Sequence, residues 1–141
     1  GSPREVYLHP ENLFVAHFIG SPGMNFIPLV FLGEGRGFRL ENGDVIRHET
    51  MERLAVRHGV RECILGIRPE FLSIAASGEI RGNTVSIEPL GYKNLYAVEI
   101  APGRIIRVED MRRERFSGNV SLAVRWEAAC LFDHQTGQRI R

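Results

Sequence analysis

Residues 25–47, Asn25-Phe26-Ile27-Pro28-Leu29-Val30-Phe31-Leu32-Gly33-Glu34-Gly35-Arg36-Gly37-Phe38-Arg39-Leu40-Glu41-Asn42-Gly43-Asp44-Val45-Ile46-Arg47, read as strand, turn, strand, turn, strand. Short apolar runs at Asn25 to Leu32, Gly37 to Leu40 and Asp44 to Arg47 are separated by Gly33-Glu34-Gly35 and Asn42-Gly43-Asp44. Glycine and Asn-Gly pairs supply the backbone angles that tight connections need. The glycine-rich segment Gly33 to Gly37 therefore reads as a hairpin connection into Phe38-Arg39-Leu40 and not as a phosphate-binding loop.

The same grammar runs through most of the chain. Further strands are expected at Glu62 to Arg68, Phe71 to Ala75, Glu79 to Leu90, Leu95 to Ile100, Arg104 to Glu109, Val120 to Arg125 and Ala129 to Phe132. Turn signals fall at Ser77-Gly78, Pro102-Gly103, Ser117-Gly118-Asn119 and Thr136-Gly137. Short strands at such spacing indicate a small barrel or sandwich. Two segments have helical spacing instead. Met51, Leu54, Ala55 and His58 set a short helix over Glu49 to His58, ended by Gly59. Phe14, Val15, Phe18 and Ile19 set another over Pro10 to Ile19, with Pro10 in its first turn and Gly20 as its stop. A helix of about ten residues is marginal alone in water, so its apolar stripe is expected to dock on the barrel or on a second copy of the chain.

At 141 residues with 43% hydrophobic and 25% charged residues, the chain suits one globular domain with its own core. No apolar run approaches the ~18 residues of a membrane span, and no basic segment followed by an apolar one marks a secretion signal. Cys63 and Cys130 are isolated in apolar runs, as buried thiols are, and the expected compartment is the cytoplasm. A net charge of +1 argues against a dedicated polyanion binder. From Arg104 onward eight arginines face five acids, interleaved as on a solvated surface with mixed pairs.

No catalytic motif is complete in this sequence. The lysine that a P-loop needs is absent, because the only lysine, Lys93, follows Gly91-Tyr92. His48-Glu49 begins a zinc-protease motif, but Glu52 stands where the second histidine ligand belongs. Glu109 and Asp110 are adjacent, so on a strand they face opposite ways. No catalytic, cofactor or metal residue is assigned.

Three ordered stretches carry a resemblance to a known family. The first is Ser2-Pro3-Arg4-Glu5-Val6-Tyr7, then Pro10-Glu11-Asn12-Leu13-Phe14-Val15-Ala16 and Phe18-Ile19-Gly20-Ser21-Pro22-Gly23-Met24-Asn25-Phe26. The second is Gly66-Ile67-Arg68-Pro69-Glu70-Phe71-Leu72, and the third pairs Val85-Ser86-Ile87-Glu88-Pro89-Leu90-Gly91 with Leu131-Phe132-Asp133-His134-Gln135-Thr136-Gly137. Together these resemble the C-terminal regulatory region of the ATP-binding subunit of a carbohydrate or glycerol-phosphate type ABC importer. Phe71, where the family often has histidine or aspartate, and the arginine-rich run Arg107 to Arg115 depart from the pattern.

The resemblance implies a mostly β chain with an OB-like β-barrel (TOBE), a short N-terminal helix and one further short helix. It implies a division into residues 1–22, the tail of a nucleotide-binding domain, and 23–141, the regulatory domain. The fragment would need no cofactor, ATP and magnesium belonging to the parent chain. Expected partners are a second copy through the regulatory domain, the nucleotide-binding domain in cis, membrane permease subunits and a solute-binding protein, but no nucleic acid, at the cytoplasmic side of the inner membrane. Candidate contact residues are Arg68, Glu70, Phe132 and Asp133; Arg68 and Glu70 read first as a strand-ending turn with a local ion pair around Pro69, and Phe132-Asp133 first as a buried aromatic before a turn, with the contact role second. Phe14, Val15, Phe18 and Ile19 form the candidate docking helix. A small-ligand or oxyanion sensor is the alternative role, ahead of a nucleic-acid-binding OB module.

Overall fold

The 25–47 stretch folds as a three-stranded meander, and the rest of the chain repeats its logic. The computed structural model describes residues 2–17 and 23–141. In chain order its elements are α1 (Pro3–Leu8), α2 (Leu13–His17), β1 (Asn25–Phe31), β2 (Phe38–Arg39), β3 (Val45–Ile46), α3 (Glu49–His58), β4 (Glu62–Ile67), β5 (Leu72–Ile74), β6 (Ile80–Pro89), β7 (Asn94–Ala101), β8 (Arg104–Asp110), β9 (Gly118–Val124), β10 (Cys130–Asp133) and β11 (Arg139–Ile140), with 3-10 turns at Pro69–Phe71 and Trp126–Ala128. Along β1, burial alternates, with Asn25, Ile27, Leu29 and Phe31 inside. Gly37 closes the β1–β2 connection at φ +88, where a Cβ would lie 2.5 Å from the Ile46 carbonyl oxygen, so both its backbone angle and its surroundings require glycine.

The strands form two antiparallel sheets, ordered β11-β10-β4-β1-β2-β3 and β5-β9-β6-β7-β8. β4 is the pivot of the first: it pairs with β1 from Asn25↔Ile67 to Val30↔Glu62 and with β10 from Cys130↔Gly66 to Asp133↔Cys63. The end of the chain thus returns beside its beginning. Asn25 stitches the sheets together, its Nδ2 donating to the Arg107 carbonyl and its Oδ1 accepting from the Arg107 amide, both at 2.8 Å. Ile27, Leu65 and Ile67 of one sheet meet Leu72, Ile80, Val98, Val108 and Leu122 of the other in one core. The result is the mostly β, curled half-barrel that the turn grammar and the family resemblance implied.

α3 has the bounds expected from its spacing. His48 caps it, Nδ1 accepting from the Met51 amide at 3.3 Å, and Gly59 ends it in the left-handed region at φ 63. Met51 and Ala55 pack into the core from the face that the spacing marked.

The N-terminal region differs from expectation. Among the described residues it holds two short helices, α1 and α2, and α2 starts at Leu13, three residues later than expected. Asn12 caps it, its Oδ1 accepting from the Val15 amide at 2.9 Å, and the Leu13 amide donates to Gly137 O at 2.9 Å. This start rotates Leu13 and Ala16 toward the sheet, leaves Val15 half-buried and leaves Phe14 73% exposed. Leu13 and Ala16 thus face the sheet while Phe14 is turned outward; Phe18 and Ile19 lie outside the described residues. Among the described residues, no helix is long and apolar enough to cross a membrane.

Candidate functional site

The Gly66 to Leu72 motif sits where β4 ends, and its geometry follows from Pro69. Proline lacks the N–H that a further ladder bond would need, so the chain leaves the sheet in a 3-10 turn over Pro69–Phe71. Arg68, the last extended residue, is only 1% exposed. Its guanidinium stacks on the Tyr7 ring, 3.7 Å from the centroid, and its Nε donates to the Tyr7 carbonyl at 3.1 Å. Nη1 and Nη2 are buried and find no acceptor among the described residues. A buried donor left so costs about 1–3 kcal/mol. Glu70 points the other way, to the surface, and accepts a short hydrogen bond from the Tyr7 hydroxyl. Burial first, and then the Glu70 carboxylate, push the Tyr7 phenol above its ordinary pKa. Arg68 and Glu70 thus both engage α1 through one aromatic residue, and neither forms an ion pair with the other within 4.0 Å.

Other contacts sew this N-terminal segment to the barrel. The Cys130 thiol donates to Leu8 O at 3.3 Å, Arg139 Nη1 donates to His9 O, and the Arg139 amide donates to Glu11 O at 2.9 Å. Below α1 lies a cavity of about 480 Å³ with Val6, Val15, Met51, Leu54, Leu131 and Ile140 among its walls.

Phe132 is fully buried against Ala16, Met24 and Cys130, with Phe26 edge-on at 6.5 Å. Asp133 starts the β10–β11 turn: its Oδ1 accepts from the Gln135 amide and its carbonyl from the Gly137 amide, both at 2.8 Å. Phe132 thus belongs to the seat of α2, and Asp133 to a turn beside it.

A second concavity, about 1010 Å³, opens on the five-stranded sheet and is lined by Arg81, Arg112 and Arg115 with Asn83, Asn119 and Ser121. Two of these arginines are tied to buried carboxylates. Arg81 bonds Asp44 through its amide at 2.8 Å and Nε at 2.7 Å, and Arg112 bonds Asp110 through its amide and Nε, both at 2.9 Å. Burial alone would raise both carboxyls, but the hydrogen bonds prevail and hold them below the usual range. Glu52 is a third case. It accepts from the Gly35 amide at 2.9 Å and from Arg47 Nε and the His48 amide at 3.0 Å, and is likewise held low against its burial.

Burial pushes the Cys63 thiol up to about 12 and that of Cys130 to about 11, which removes their nucleophilicity near neutral pH. His48 stacks on Trp126 at 4.6 Å, and His58 bonds Arg141 O at 2.9 Å. Among the described residues, no group of three or more His, Cys, Asp or Glu is placed to hold a metal ion. Tyr7 escaped the sequence reading because its contacts, with Arg68 and Glu70, lie about sixty positions away.

Residues 20–72 match the MalK OB fold domain, and residues 65–132 match the TOBE domain. The chain therefore carries a MalK-type OB fold and a TOBE domain. The overlap of the two matches, residues 65–72, contains the Gly66 to Leu72 motif with Arg68 and Glu70, while α1, α2 and β11 lie outside both. The lactose transport ATP-binding protein LacK of Rhizobium radiobacter is 32% identical, the alignment spanning 100% of this chain and 41% of that protein. The sn-glycerol-3-phosphate import ATP-binding proteins UgpC of Shigella sonnei and Escherichia coli O6:H1 are 34% and 35% identical, each over 99% of this chain and 39% of their own length. The chain thus spans about two-fifths of the length of these relatives.

Proposed function

We propose that this chain is the non-catalytic regulatory and dimerisation region of the ATP-binding subunit of an ABC importer for a sugar or glycerol-phosphate type solute. The observation that carries the reading is its end-to-end alignment, at about two-fifths of their length, with proteins named for ATP binding in lactose and sn-glycerol-3-phosphate transport. ATP and magnesium would be held by the remaining part of such a parent, for which this sequence supplies no P-loop. Residues 1–22 would be the tail of that nucleotide-binding part, and the anchorage of α1 by Arg68, Cys130 and Arg139 would transmit its position to the barrel. The complete subunit would work on the cytoplasmic face of the membrane against permease subunits. Light scattering on the 141-residue chain tests the dimerisation role. A dimer at high micromolar concentration is expected, and a strict monomer would remove that role without touching the domain assignment.

A second reading, a domain that senses a small oxyanion, draws on the groove containing Arg81, Arg112 and Arg115. Asp44 and Asp110 already neutralise two of those cations, which leaves little field for an anion. Thermal shift against sugar phosphates and oxyanions separates the readings: a purely structural domain does not respond.

A further inference from the structure

We propose that the tip of the β6–β7 hairpin, together with the loop that leaves β8, is the face through which two copies of this chain associate about a twofold axis. This rests on the dimerisation role above and assigns it a surface.

The tip stands clear of the rest of the fold. β6 pairs with β9 only as far as Thr84↔Gly118, while its pairing with β7 continues to Pro89↔Asn94, and β7 pairs on its other side to Asn94↔Asp110. The ends of β6, β7 and β8 therefore overhang the sheet as a three-stranded ribbon. A tight turn closes the hairpin, the Leu90 amide donating to the Lys93 carbonyl at 2.8 Å across Gly91-Tyr92. Four of the eight exposed large apolar residues described lie on this ribbon or just beyond it: Val85, Leu90, Tyr92 and Met111. Tyr92 is 70% and Met111 72% exposed. Single exposed apolar residues are ordinary, but a cluster on a projecting tip has the composition of an interface core, where tyrosine and methionine are enriched.

The cluster is held in place before any partner arrives. Asn94 Nδ2 donates to the Arg112 carbonyl at 3.2 Å, and Arg112 is paired with Asp110 and donates to the Ile74 carbonyl at 2.7 Å. The Tyr96 hydroxyl donates to Glu114 O at 3.3 Å and accepts from the Phe116 amide at 3.2 Å. These contacts fix the loop that carries Met111 against the hairpin, so association has little ordering to supply.

The charges around the tip select the occupant. Lys93 and Arg112 are neutralised by Glu109 and Asp110. Four exposed groups remain without a side-chain partner among the described residues, Glu88 and Glu114 against Arg113 and Arg115. The rim thus sums to zero, which offers no attraction to a polyanion or to an anionic lipid surface. It carries both signs unpaired, each within four residues of Leu90 or Met111. A twofold axis sets such a patch against its own copy, so that the acids of one chain meet the arginines of the other.

Sedimentation velocity on the 141-residue chain at high micromolar concentration tests this. The wild-type chain should be dimeric. Tyr92→Ser with Met111→Ser should weaken the dimer by about tenfold or more while the melting temperature holds, since both side chains are exposed. Arg113→Glu with Arg115→Glu makes the four unpaired groups all acidic, and Glu88→Lys with Glu114→Lys makes them all basic. Each of these charge variants should be monomeric alone, and an equimolar mixture of the two should restore dimers. A wild-type dimer that the charge variants retain, or a mixture of them that stays monomeric, would overturn this surface and leave the dimerisation role standing. A wild-type monomer would overturn both, and if that monomer floats with phosphatidylcholine vesicles the tip belongs to a lipid surface instead.

Discussion

Gly66 opens the Gly-Ile-Arg-Pro-Glu motif, and the structure gives it a steric task that one added methyl group exposes. A Cβ at this position would lie 2.6 Å from Met24 Sδ and 2.7 Å from Phe132 Cε2, well inside the ~3.5–4.0 Å of a relaxed carbon contact. Met24 is unbranched and can turn away. Phe132 cannot, because it is fully buried between Ala16 and Cys130 with Phe26 at its edge. Overpacking of this kind costs about 1–3 kcal/mol, and near 2 kcal/mol is expected for Gly66→Ala. For a chain of this size that lowers Tm by about 6–10 °C. Circular dichroism melts measure it, and Gly23→Ala is the control, since a Cβ there meets nothing within 4 Å. A sharper check is the cycle with Phe132→Leu, which shortens the ring that blocks the methyl. The double variant should be more stable than the two single losses added together by about 1 kcal/mol. A Tm change below about 2 °C for Gly66→Ala, or strict additivity with Phe132→Leu, would refute the packing argument for the seat of α2.

The buried acids predict a pH dependence. Glu52 is held below its ordinary pKa in the fold, so its contribution is present above the unfolded value of about 4.3 and is lost as pH falls through the folded value. Glu52→Gln should destabilise the chain by about 1–3 kcal/mol at pH 7 and flatten the loss of Tm between about pH 5 and pH 3; an unchanged acid limb would contradict this. Cys63 and Cys130, buried and with raised pKa, should resist iodoacetamide at pH 8 and react fully in denaturant. His48→Ala removes the cap of α3 and the ring stacked on Trp126, and should cost about 1 kcal/mol while changing the emission of this single tryptophan.

The barrel was legible because its information is local. Alternating side chains in β1, Gly37 at the first turn and Gly59 after α3 place strands and helix where the structure has them. β11 was missed because Arg139–Ile140 is too short to show a period, and it exists by pairing with β10 at Leu131↔Ile140 and Phe132↔Arg139. α1 was missed for a related reason: none of its residues is buried, and what holds it is Arg68, Cys130 and Arg139 from distant parts of the chain. In α2 the start set by Asn12 and Gly137 turns Leu13 and Ala16 toward the sheet, an orientation that long-range contacts fix and the apolar stripe alone did not indicate. At the candidate site, Arg68 and Glu70 stood out as a cation and an anion around a proline, but the residue that joins them, Tyr7, is a long-range partner that no local pattern names.

The central claim, that these residues regulate an importing ATPase and hydrolyse nothing themselves, is met most directly by the genomic reading frame that precedes the codon for Gly1. It should encode, in the same frame, a G-x-x-x-x-G-K-[ST] loop and an L-S-G-G-Q signature. A frame that lacks both would contradict the claim.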